Sequence, residues 1–105
     1  MMADLSTGLS ENQLKQIQNT LASCPRVSRA FIFGSRALGT YEDGSDIDIA
    51  LEGDDLTFDD MLRLNSRIDE LNLPYFVDLV HIQRIENQDL RDHISRVGKS
   101  LYHRI

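Results

Sequence analysis

The stretch that decides the fold is Phe31–Leu51, FIFGSRALGTYEDGSDIDIAL. Its last six residues, Asp46 to Leu51, alternate strictly with the period of a β-strand. Ile47, Ile49 and Leu51 face one way, and Asp46, Asp48 and Ala50 the other. Two carboxylates therefore leave one face of a sheet side by side. At ~4 Å and an effective dielectric near 20 their repulsion is about 4 kcal/mol. That is a large share of a total stability of roughly 5–15 kcal/mol. A divalent cation relieves the conflict, because Mg²⁺ prefers carboxylate, phosphate and water oxygens. Two such ions held by shared carboxylates clamp an in-line displacement at phosphorus. The pair alone leaves a second reading open, in which Asp46 and Asp48 cap a strand end and pair with Arg29 or Arg36.

Upstream, Gly34-Ser35 follows an apolar, β-branched and aromatic run, Val27 to Phe33, and opens a short helix, Ser35 to Leu38, closed by Gly39. Backbone N–H groups at such a start are unsatisfied and attract phosphate. Glycine lets a ligand approach the backbone. The Ser35 hydroxyl adds a donor, and Arg36 is placed to neutralise a triphosphate. A lone Gly-Ser is equally a serine-capped turn; its weight comes from the aspartate strand that follows.

The flanks read as alternating elements. Ser10 to Gln13 is a capping box with Leu9 and Leu14 as a staple, and Leu14, Ile17 and Leu21 follow at helical spacing until Pro25. Thr40 to Ser45 is a loop with Gly44 at its tight point. Thr57 to Leu71 is a helix with Phe58, Met61, Leu64 or Leu62, Ile68 and Leu71 on its apolar stripe. Tyr75 to Val80 is a third strand, apolar except for Asp78. Asn87 caps a last helix carrying Leu90, Ile94 and Val97, ended by Gly98, and Leu101 and Tyr102 form a short extended tail. The order predicts one layered α/β domain with helices on a small sheet.

The 105 residues are about one domain's worth of chain. The net charge of -6 argues against a surface that coats nucleic acid, which wants a basic face. Nor is the chain a polybasic membrane binder. No apolar run approaches a membrane span, and Met1 to Gln13 has no apolar signal core. A single cysteine, Cys24, fits a reducing compartment, and cytoplasmic localisation is the expectation. The acidity is one block: residues 42–60 carry nine acids and no base. Asp54, Asp55, Asp59 and Asp60 surround Thr57, a helix N-cap, where acids favour the helix dipole. Asp46, Asp48 and Asp78 lie inside apolar strands and need another explanation.

With these residues in view, the chain resembles the nucleotidyltransferase superfamily that includes DNA polymerase beta. The shared pattern is a hydrophobic residue, Gly-Ser, about ten residues, then Asp-hydrophobic-Asp-hydrophobic, spanning roughly Val27 to Val80. Within that superfamily it is most similar to the minimal nucleotidyltransferases, or MNT proteins. The resemblance implies an α/β (α+β) fold, a small mixed β-sheet flanked by helices, with residues 1–105 as a single minimal domain. It implies that Asp46, Asp48 and Asp78 are catalytic and ligate two Mg²⁺ ions, and that Gly34, Ser35, Arg36 and Ser45 bind the nucleotide. It implies transfer of a nucleoside monophosphate, AMP from ATP, to a hydroxyl. The acceptor is then a tyrosine of an all-helical HEPN-domain toxin, with this chain as antitoxin in a homo- or hetero-oligomer. One departure is visible: the group commonly reads Gly-Ser-Arg-Ala-Arg-Gly, and Leu38 replaces the second Arg. Two alternatives remain, a non-catalytic antitoxin acting by contact and a small-molecule nucleotidyltransferase of the antibiotic-resistance kind. His81, His93 and His103 form no ligand spacing and read as surface or partly packed residues. Cys24 reads as structural, and Tyr41, Tyr75 and Tyr102 as packing aromatics.

Overall fold

The computed structural model describes residues 7–104. The first helix, α1 (Glu11–Ala22), starts at the expected capping box: the Ser10 hydroxyl accepts the Gln13 N–H and the Gln13 side chain accepts the Ser10 N–H. Leu9 and Leu14 both pack against the core, as a hydrophobic staple places them. Residues 1–6, which include part of the N-terminal segment read for a signal core, lie outside the described residues.

Four strands follow with helices between them: β1 (Arg29–Phe33), α2 (Ser35–Leu38), β2 (Ile47–Glu52), α3 (Phe58–Asp69), β3 (Val77–His81), α4 (Gln88–Val97) and β4 (Lys99–His103). A single 3₁₀ turn, Ile82–Arg84, links β3 to α4. The sheet order is β3-β2-β1-β4. β1 is antiparallel to β2 and to β4, while β2 and β3 are parallel, joined through α3. The sheet is therefore mixed. The segment expected as a tail at Leu101 and Tyr102 is instead an edge strand, with Leu101 buried. Its pairing partner, β1, lies about seventy residues earlier, so no local pattern announces it.

The alternation of β2 divides the molecule into layers. Ile47, Ile49 and Leu51 are fully buried in the main core with Ile17 and Leu21 of α1 and Leu64 and Ile68 of α3. On the opposite face Ala50 joins Phe33 and Ile94 in a smaller core beneath α4. The expected stripe of α3 holds at Leu64 and Ile68, but Phe58 is 70% exposed. Phe58 is the first residue after the Thr57 cap, and Leu56, just before the cap, enters the core in its place, with Met61 packed against the same cluster.

Candidate active site

The sheet register brings the sequence-predicted carboxylates to one end of one face. Phe33 stands opposite Asp48 in the β1–β2 ladder, and Asp48 stands beside Asp78 in the β2–β3 ladder. The last residue of β1, the second of β2 and the second of β3 thus form a row across three strands. Gly34 leaves that row from β1, and Asp46 enters it just before β2. On β3, Tyr75, Val77 and Leu79 pack into the main core and Val80 into the smaller one, so Asp78 lies on the α4 side of the sheet with Asp48.

Gly34 shows how closely this end is built. Its φ of 73° and ψ of -152° belong to a region reserved for glycine. A Cβ there would run into the Asp48 carboxylate. The turn and the aspartate are therefore in direct contact, and any side chain at position 34 would push them apart. Ser35 follows as the first residue of α2, and its hydroxyl has no hydrogen-bond partner among the described residues.

The electrostatics of Asp48 are unfavourable as it stands. Burial pushes its carboxyl above the ordinary range, and Asp78 and Asp46 push it further. Neither of the two arginines offered above as partners pairs with it. Arg29 holds Glu52 at 2.5 Å, at the far end of β2. Among the described residues no arginine is paired with Asp46, Asp48 or Asp78. The strand-end ion-pair reading of these aspartates therefore has no support in the fold. As they stand, no three His, Cys, Asp or Glu side chains among the described residues close on a common point. Asp46 and Asp78 are exposed. The donor set, all hard oxygen, fits Mg²⁺.

Two residues expected at the nucleotide are engaged within the fold. Arg36 is only 2% exposed. Its guanidinium donates to the Ser45 carbonyl through Nε at 3.2 Å and Nη2 at 2.8 Å, and to the Thr7 carbonyl at 2.6 Å. It lies between the Tyr41 and Tyr75 rings, 5.1 and 4.5 Å from their centres. A cation so enclosed does not reach a phosphate in this conformation. It fixes the loop that ends at Asp46. Ser45 belongs to the same device: its hydroxyl accepts the Glu42 N–H at 2.8 Å. Tyr41 and Tyr75 are packing aromatics, as expected, with the arginine as their partner.

His93 is partly packed, as expected. Read from sequence as a surface or partly packed residue, it reaches this end of the sheet from α4. Its Nε2 accepts the Gly34 N–H at 3.2 Å, and its ring stands edge-on to Phe33. A lone histidine on a helix gave no signal; its position depends on how α4 docks on β1.

Residues 15–105 match the family described as Polymerase beta, Nucleotidyltransferase. The chain belongs to that family. This nucleotidyltransferase is similar in fold to a chain of a toxin–antitoxin crystal structure with AMP-PNP, at 27% identity and a TM-score of 0.69, covering 91% of this chain and 75% of that one. It is similar to a chain of a tyrosine-to-alanine mutant of an MntA toxin–antitoxin pair, at 28% identity and a TM-score of 0.68, covering 91% and 74%. The fold is also shared with a chain of the complex of tri-AMPylated Shewanella oneidensis HEPN toxin with MNT antitoxin, at 22% identity and a TM-score of 0.69, covering 91% and 74%. No curated protein matches the sequence. Among the described residues no helix is long and apolar enough to cross a membrane.

Proposed function

We propose that this nucleotidyltransferase moves AMP from ATP to a tyrosine hydroxyl of a HEPN-domain toxin, and is the antitoxin of that pair. The observation that carries the proposal is the row Phe33–Asp48–Asp78 with Gly34 against Asp48, in which carboxylates that no arginine of the described residues neutralises stand beside a turn whose serine hydroxyl has no hydrogen-bond partner among the described residues. In this reading Gly34 and Ser35 hold the triphosphate, and Asp46, Asp48 and Asp78 ligate two Mg²⁺ ions. Bound Mg²⁺ supplies charge neutralisation at the triphosphate and activation of the acceptor hydroxyl. Asp78, on the strand farthest from Gly34, serves the acceptor side. Arg36 and Ser45 fix the Thr40–Ser45 loop and so the approach of Asp46. The acceptor oxygen attacks the α-phosphorus in line, its proton leaves toward the carboxylates, and pyrophosphate departs. Catalysis is then mainly positioning and charge neutralisation.

The partner assignment draws on the likeness to toxin–antitoxin chains, including one with AMP-PNP. Asp46 and Asp78 at the carboxylate end are exposed, which suits an acceptor delivered by another protein. Residues 1–105 then act as one minimal domain in a cytoplasmic hetero-oligomer.

The test is to incubate the chain with α-labelled ATP, Mg²⁺ and the HEPN-domain protein encoded beside it. Label on the partner that disappears with Asp46→Asn and Asp48→Asn is the expected result. Partner inhibition that survives both substitutions with no label transferred would establish neutralisation by contact and overturn the enzymatic reading.

A further inference from the structure

The backbone at Gly34 is held from two sides. On one, the Asp48 carboxylate fills the space a Cβ would need. On the other, the His93 imidazole takes the Gly34 N–H at 3.2 Å. The ring itself has little freedom: it stands at 78° to Phe33 with centroids 6.0 Å apart, and the next residue on α4, Ile94, is buried in the smaller core. Beyond Gly34 the carbonyl of the same residue accepts from Ala37 and Leu38, which starts α2 and aims Ser35. A glycine in a sparsely populated conformation persists only where its surroundings hold it.

We propose that His93 is a positioning residue of the nucleotide site, fixing the Gly34 peptide and through it the placement of the Ser35 hydroxyl relative to Asp48. This rests on the reading that the Gly34–Ser35 turn carries the triphosphate. The histidine touches neither metal nor reacting atoms; it acts through the glycine. It also ties α4 to the site, so that an otherwise ordinary amphipathic helix contributes to the precision of the turn. Only a side chain that accepts a hydrogen bond at that distance from α4 can take its place, and a merely space-filling one cannot.

The test uses the full chain and Mg·AMP-PNP as the probe, with His93→Ala and His93→Gln compared at a temperature where all three proteins are folded by thermal melt. Calorimetric titration of H93A is expected to give a Kd about tenfold weaker than that of the parent chain, the worth of roughly one lost hydrogen bond. H93Q, whose Oε1 can accept the same N–H, is expected to recover most of it. The Gly34 amide, followed by ¹H–¹⁵N NMR, should shift and exchange faster in H93A and return toward the parent position in H93Q. Parent affinity or tighter binding in H93A overturns the positioning role. So does an H93Q that binds no better than H93A. A parent chain that fails to bind Mg·AMP-PNP at all would instead overturn the nucleotide reading on which the inference rests.

Discussion

Asp60 and Asp48 belong to the same acidic block and meet opposite fates. Asp60 is 2% exposed, yet every feature around it favours its charge. Arg26 donates to it through Nε at 2.7 Å and Nη2 at 3.2 Å, and the Thr57 N–H at 3.0 Å. Those contacts, the Arg26 hydrogen bond first, hold its carboxyl far below the ordinary range. Burial raises the Asp48 carboxyl, Asp78 and Asp46 raise it further, and no arginine offsets them. The fold can neutralise a buried aspartate, and does so at position 60. At position 48 it does not. In the proposed reading, the charge that position 48 lacks arrives with a ligand.

Substitution separates the two most sharply. Asp48→Asn is expected to lower AMP transfer by about 10³-fold or more, on the scale seen for loss of a transition-state electrostatic contact, while leaving the fold intact. Asp60→Asn should do the reverse, lowering the melting temperature while each folded molecule keeps its transfer rate. Equal losses of rate in the two variants, measured per folded molecule, would erase the distinction.

Gly34→Ala comes next. It places a methyl against Asp48 in a backbone region costing about 1–3 kcal/mol for a non-glycine residue. Displacing the turn should cost roughly a hundredfold in transfer. A G34A enzyme with parent kinetics would show that the turn and Asp48 need not touch.

Arg36→Lys tests the loop device. The lysine loses the two-pronged grip on the Ser45 carbonyl and the planar stack between Tyr41 and Tyr75. Expected are a melting temperature lower by several degrees and faster amide exchange in residues 40–45. A variant that kept its stability but lost Mg·AMP-PNP binding would return Arg36 to the nucleotide.

The smallest effect is in the pH profile of stability. Asp60 has a depressed folded pKa, so its contribution is present above the unfolded value near 3.8 and fades as pH falls toward the folded one. Asp48 has a raised folded pKa, so its contribution is full below 3.8 and is lost as pH rises through the folded value. Melting curves across the acid range should therefore show D60N losing ground to the parent as pH rises toward 3.8 from below, and D48N gaining on the parent as pH rises above 3.8.

These contrasts also mark what could be read in the sequence. The period of Asp46 to Leu51, the boxes at Ser10 and Thr57, and the third strand around Asp78 are local patterns, and the fold follows them. The placement of Asp46, Asp48, Asp78, Gly34 and Ser35 at one end of the sheet follows from strand alternation plus register. What the sequence did not disclose depends on distant partners. Arg36 reads as a phosphate cation until Tyr41, Tyr75 and Thr7 close around it. His93 reads as a bystander until α4 lies across the end of β1. The edge strand Lys99–His103 has modest β-propensity and gains its order from β1.

The most direct test of the central claim, that Asp48 awaits a cation brought with the nucleotide, is thermal melting of the parent chain and D48N near neutral pH, without and with Mg·AMP-PNP. D48N should melt higher than the parent without ligand, because a repelling charge has been removed. Ligand should raise the melting point of the parent and leave that of D48N unchanged. A D48N protein that melts lower without ligand, or gains as much from Mg·AMP-PNP as the parent, would contradict the claim.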